Sequence, residues 1–156
     1  VIDIVRRHII PAAFAVLPPE MASKDAAALL LAIGWQESRF EHRLQVGGPA
    51  RGFWQFEEGG AVKGVINHKR TEAPLRAAMK ALSYRFEPTP RVCYEAIAHN
   101  DVLACVFARL LLWTVPGELP SRTHMDYGWR CYLAGWRPGK PHPDTWAQAW
   151  EVAWRS

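Results

Sequence analysis

Cysteine is scarce in this 156-residue chain: Cys93, Cys105 and Cys131, with no Cys-x-x-Cys pair. An odd number without paired spacing argues against a disulfide framework and against a zinc site. The six histidines, at 8, 42, 68, 99, 124 and 142, show no His-x-x-x-His or other ligand spacing. Neither a metal nor any other cofactor is expected. No stretch approaches the ~20 apolar residues of a membrane span. The nearest, "VLACVFARLLLWTV" (Val102 to Val115), is interrupted by Arg109, so stable membrane insertion is not expected. Alternating β-branched runs are rare, and repeats, low-complexity tracts and interdomain linkers are missing. No signal peptide is visible, although an opening Val1 in place of Met fits the removal of a leading segment.

What remains is one domain's worth of chain, residues 1–156, long enough to bury a sizeable core. Hydrophobic residues make up 49% and charged residues 22%, which suits a globular protein expected to be a monomer. Eight tryptophans are many for this length; some should fill core and others line a binding surface. The net charge of +4 suits an anionic partner, whether nucleic acid, membrane surface or an acidic wall polymer, and chooses none of them.

Apolar residues recur mostly at helical spacing, so the expected fold class is mainly α. "IDIVRRHII" reads as a first helix, ended or bent at Pro11. Ser23 is a plausible N-cap, with Asp25 in the first turn, for a helix running to about Ser38. Phe40 to Phe56 reads as a loop with a small hairpin, and Glu57 to His68 as a weak helix diluted by glycine. "EAPLRAAMKALSYRF", "TPRVCYEAIAHN" and "DVLACVFARLLLWTV" read as helices, the last two joined at Asn100. A further helix is expected from an N-cap at Ser121 to about Ala134, with Gly135 as its stop. The last helix carries Trp146, Trp150 and Trp154 at i, i+4 and i+8, a stripe that should face the core.

One carboxylate stands out. Glu37 follows "AAALLLAIGW" (Ala26 to Trp35), ten residues without a charge, in a helix apolar almost all round and therefore buried at the centre of the fold. At the C-terminal end of such a helix the dipole opposes an ionised carboxylate, and so does partial burial. Both raise the pKa, and a carboxyl still protonated near neutral pH can donate a proton to a leaving group. From periodicity alone, this reading and that of a surface glutamate at a fraying helix end stand level.

"ESRF" (Glu37 to Phe40), a Gly-rich loop, "GFWQF" (Gly52 to Phe56) and "CYLAGW" (Cys131 to Trp136) follow one another in order. This succession resembles the lytic transglycosylases with a goose-type-lysozyme-like fold. That family shows Glu-Ser-x-Phe at the end of a buried helix, then Gly-x-x-Gln, then an Ala-Tyr-Asn-Ala-Gly-like segment. Two departures are visible. Leu133 stands where the family has Asn, and "GFWQ" is bulkier than Gly-Leu-Met-Gln. The resemblance implies a compact lysozyme-like domain acting on the glycan strands of bacterial peptidoglycan. A phage endolysin or a virion-associated wall-degrading domain fits the small size. Such a domain is made in the host cytoplasm and works in the periplasm and cell wall.

Glu37 then matches the family's catalytic acid and base. Ser38 matches a residue positioning substrate or acid, Gln55 one lining the sugar cleft, and Tyr132 the tyrosine whose hydroxyl approaches the catalytic carboxyl. Gly52 would allow close approach of the chain to the substrate. Phe53 and Trp54 are candidates for stacking on pyranose faces, with core packing an equal alternative for Trp54. The implied reaction breaks the bond between N-acetylmuramic acid and N-acetylglucosamine and closes a 1,6-anhydro ring, so one carboxylate suffices. A goose-type lysozyme hydrolase is the alternative on the same fold. It needs a second acid to place water, and Glu57, Glu58, Asp101 and Asp126 are the acids to search. A basic helical nucleic-acid-binding module is the non-enzyme alternative. It is disfavoured because Lys and Arg are scattered, with "NHKR" (Asn67 to Arg70) the only dense piece.

Overall fold

Pro11 does not end the first helix. Three consecutive segments, Ile2–Ile4, Val5–Ile9 and Ile10–Ala15, form one helical stretch, α1. Pro11 has no N–H to give the preceding turn. The turn there widens to π geometry over Val5–Ile9, which absorbs the missing bond without breaking the helix. These details come from a computed structural model, which describes residues 1–155.

Helix α2 spans Lys24–Ser38, and Ser23 Oγ accepts from Ala26 N at 3.0 Å, the expected cap. Its run from Ala28 to Gly34 is buried. After it the chain forms a loop whose only β pairing, among the described residues, is two bridges, Leu44 with Arg51 and Arg51 with Phe56. The weak helix expected over Glu57–His68 is a π-type turn, Glu58–Val62, followed by the short α3, Lys63–Asn67. Gly60 leaves helical geometry inside the π-type turn, at φ −104° and ψ −109°.

Helix α4 spans Glu72–Ala81, shorter than its apolar spacing suggests: Ser83, at φ 68°, turns the chain before "YRF". Helices α5 (Pro90–His99) and α6 (Asp101–Thr114) meet at Asn100. The Asn100 backbone is extended and its side chain caps Leu103 N at 3.0 Å. Helix α7 covers Met125–Trp136, and α8 covers Trp146–Trp154. Two sequence expectations shift at α7. Ser121 makes a turn with His124, whose ring nitrogen lies 2.7 Å from its hydroxyl, so the helix starts later. Gly135 does not stop it, because Arg137 takes the left-handed terminal position at φ 47°.

The fold is thus mainly helical. Helix α2 packs most closely on α8 and also meets α6. It is not alone at the centre, since all ten residues from Leu103 to Leu112 of α6 are buried too. Trp146, Trp150 and Trp154 face this core, at most 9% exposed. None of the helices among the described residues is long and apolar enough to cross a membrane.

Candidate active site

The last turn of α2 sets the position of the acid. Arg39 and Phe40 both take left-handed backbone angles, φ 53° and 54°, and reverse the chain right after Ser38. For a bulky residue such as Phe40 this costs on the order of 1–3 kcal/mol, offset by burial of its ring at 1% exposure. Ser38 holds the reversal. Its buried hydroxyl accepts from Phe40 N at 3.1 Å and donates to Phe53 O at 2.7 Å. Ser38 thus fixes the end of α2 through backbone partners, and its side chain is buried rather than open to the surface.

The "GFWQ" segment is the tip of a tight hairpin. Arg51 and Phe56 exchange both backbone hydrogen bonds at 2.8 Å, and Gln55 N closes on Gly52 O at 3.0 Å. Gly52 and Gln55 take positive φ, 77° and 54°. This geometry turns Phe53 and Trp54 inward, to 1% and 0% exposure. Trp54 Nε1 donates to Leu30 O at 2.8 Å, and the Phe40 ring meets both Phe53 and Trp54 edge-on. Gly34 makes room for this cluster, because a Cβ there would collide with the Phe40 ring. Two expectations are corrected accordingly. Phe53 and Trp54 are core residues that a sugar cannot reach. The close approach made by Gly52 is to Ile97 of α5, whose Cγ2 would lie 2.7 Å from an added Cβ, and not to a substrate.

Gln55 does reach the surface. With Glu37, Glu57, Tyr132, Trp136 and Arg137 it lines a cleft of about 590 Å³. The cleft continues past Gln55, Glu57 and Trp136 into a second hollow of about 450 Å³ beside α3 and α6. Tyr132, 95 residues from Glu37 in sequence, donates its hydroxyl to Glu37 Oε1 at 2.6 Å. Oε2 has no partner among the described residues. The Tyr132 ring lies flat on Trp146, with centroids 5.5 Å apart and planes 10° apart. Burial raises the Glu37 pKa from 4.5 to about 7; the Tyr132 bond opposes the rise and the charge of Glu57 adds to it. The Tyr132 phenol is itself pushed up, by burial and by the adjacent carboxylate. A carboxyl half-protonated near neutral pH, with one oxygen held and the other free, is suited to give and retake a proton.

Of the four further acids, only Glu57 lines this cleft. Asp101 is held by Arg43 through two bonds of 2.7 and 2.8 Å, and Glu58 by Arg91 at 2.9 Å. Asp126 sits in the first turn of α7, away from the cleft lining. The three thiols are buried, and burial raises the pKa of each, that of Cys93 to about 11.

Two cleft residues escape the sequence reading. Trp136 donates from Nε1 to Trp54 O at 2.8 Å, stays half-buried and borders both hollows. Its signal was available, since it stands one helical turn beyond Tyr132 on the same face. Gln36 ties the far wall in place, donating to His142 O at 2.8 Å and accepting from Thr145 Oγ1 at 2.9 Å. Nothing local announces partners more than a hundred residues away. No protein-family model, no curated protein and no solved structure matches this chain.

Proposed function

We propose that this protein is a lytic transglycosylase that cleaves peptidoglycan at the β-1,4 bond between N-acetylmuramic acid and N-acetylglucosamine. The observation that carries the reading is the 2.6 Å bond from Tyr132 to Glu37 at the wall of an open cleft. It joins the two polar groups that the motifs "ESRF" and "CYLAGW" singled out. Protonated Glu37 gives its proton to the glycosidic oxygen as the C1–O bond breaks. The C6 hydroxyl of the muramic sugar then attacks C1, and Glu37 takes back that hydroxyl's proton. The ring closes as a 1,6-anhydro sugar and no water is consumed. Tyr132 stabilises the ionised stage, and the half-buried face of Trp136 offers a pyranose its stacking surface. Arg137 and Lys140, also on the cleft, suit the carboxylates of the stem peptides. In biological terms this is a phage wall-degrading domain for host lysis or wall penetration, acting at the bacterial wall.

One observation favours a second reading. Glu57 lines the same cleft and its charge is felt at Glu37, so a hydrolase using Glu57 to place water is the competitor. Digestion of purified peptidoglycan in heavy-oxygen water, read early by mass spectrometry, separates the two. The transglycosylase releases unlabelled anhydro-muropeptides, one water lighter than hydrolysis products. Labelled, reducing products would assign the hydrolase, and no release at all would end both readings.

A further inference from the structure

Arg109 is the one charge inside the ten-residue buried run of α6, only 2% exposed. Its Nε donates to Met21 O at 2.7 Å. The two terminal nitrogens have no hydrogen-bond partner, and Arg109 has no ion pair, among the described residues. Such an arrangement is costly, because a buried guanidinium is ordinarily paired with a carboxylate. The terminal nitrogens are not sealed either. Among the described residues only Trp154 Nε1 is both shut off and unpartnered, so those of Arg109 keep an opening.

Arg109 lines a cavity of about 450 Å³ together with Trp113. Arg70 lines it too, exposed and without an ion pair among the described residues. Both guanidinium groups lie against Trp113, 5.2 and 5.4 Å from the ring centroid. Three carboxylates complete the walls: Glu20, Asp25 and Glu118. Burial lowers the Arg109 pKa only to about 10, so the group stays charged at neutral pH. The cavity lies at the opposite end of α2 from the acid. Asp25 and Glu37 are twelve residues apart, roughly 18 Å along the helix.

We infer that this cavity is a second binding site, for a small zwitterion whose carboxylate is gripped by the two free terminal nitrogens of Arg109. A planar guanidinium with two parallel donors matches a carboxylate. The acids decide the rest of the class. Two cations against three anions leave the walls net negative, which repels a phosphate or polyanion and suits a ligand that also carries an ammonium group. An amino acid or the end of a short peptide has both charges at this scale, and the volume lies within the range of small-molecule sites. The site stands apart from the glycan-cleaving reading and neither needs nor supports it.

The test is a titration of the whole protein with glycylglycine, acetate and inorganic phosphate, followed by NMR at the Arg109 Nε–H and Trp113 Nε1–H signals. Glycylglycine should shift both and bind at least tenfold more tightly than acetate or phosphate. Arg109→Lys keeps a charge but loses the fork, and should weaken glycylglycine at least tenfold. Glu118→Gln removes an acid at the exposed rim, should leave the fold intact, and should narrow the preference for glycylglycine over acetate. No shift at either signal, tighter binding of phosphate, or a preference unchanged in Glu118→Gln would overturn the inference, even if Arg109→Lys fails to fold.

Discussion

The hairpin Arg51–Phe56 and helix α7 carry similar aromatic residues to the same place and use them in opposite ways. In the hairpin, Phe53, Trp54 and Phe56 are all within 1% of complete burial. In α7, Tyr132 presents its hydroxyl to Glu37 and Trp136 stays half-buried on the cleft. The two touch: Trp136 donates to the Trp54 carbonyl and meets Phe56 edge-on at 5.9 Å. The difference lies in backbone geometry. Left-handed angles at Gly52 and Gln55 fold the hairpin tip inward, whereas the helical period of α7 leaves one face along the cleft. An aromatic residue can serve as a binding platform only if the backbone aims it outward, whatever motif surrounds it.

Substitutions separate the two regions, beginning with the largest expected effect. Trp54→Ala should destabilise the fold by about 3–5 kcal/mol, as for a large buried aromatic, seen as a shifted denaturant midpoint. Trp136→Ala should cost much less stability and instead raise KM for peptidoglycan. Equal destabilisation with unchanged KM would erase the contrast. Tyr132→Phe should lower turnover by roughly ten- to a hundredfold, the scale of one good hydrogen bond in the transition state. It should also move the pH profile. The Tyr132 bond lowers the Glu37 pKa, so losing it shifts the falling, alkaline limb of activity to higher pH. Glu57→Gln should act least, and in the opposite direction. Without the charge that raises the Glu37 pKa, the limb moves to lower pH while turnover at its optimum stays within a few-fold. Complete loss of activity in Glu57→Gln would instead mark Glu57 as the base of a hydrolase.

The helical elements were legible in the sequence because their signals are local. The Ser23 cap, the uncharged run to Trp35 and the tryptophan stripe at 146, 150 and 154 each follow from spacing alone. The meeting of Glu37 with Tyr132 was legible through motif order, which no single helix supplies. What stayed hidden depends on backbone detail or on distant partners. The inward turn of Phe53 and Trp54 rests on two left-handed residues, one of them Gln55, which has no glycine to announce it. The placement of Gln36 rests on His142 and Thr145. The late start of α7 rests on a Ser121–His124 contact that mimics a cap without starting a helix.

The central claim is that Glu37 is a buried proton donor, and Glu37→Gln tests it by activity and stability together. Folded Glu37 keeps its proton up to about pH 7, whereas the unfolded chain loses it near the ordinary value of 4.5. Between those values the folded state binds more protons, so stability falls as pH rises across the window. Glutamine does not ionise, so the variant should melt above wild type at pH 8 and level with it near pH 4. Its release of muropeptides from purified peptidoglycan should fall to background while circular dichroism stays unchanged. A folded Glu37→Gln that still releases muropeptides at close to the wild-type rate would contradict the account.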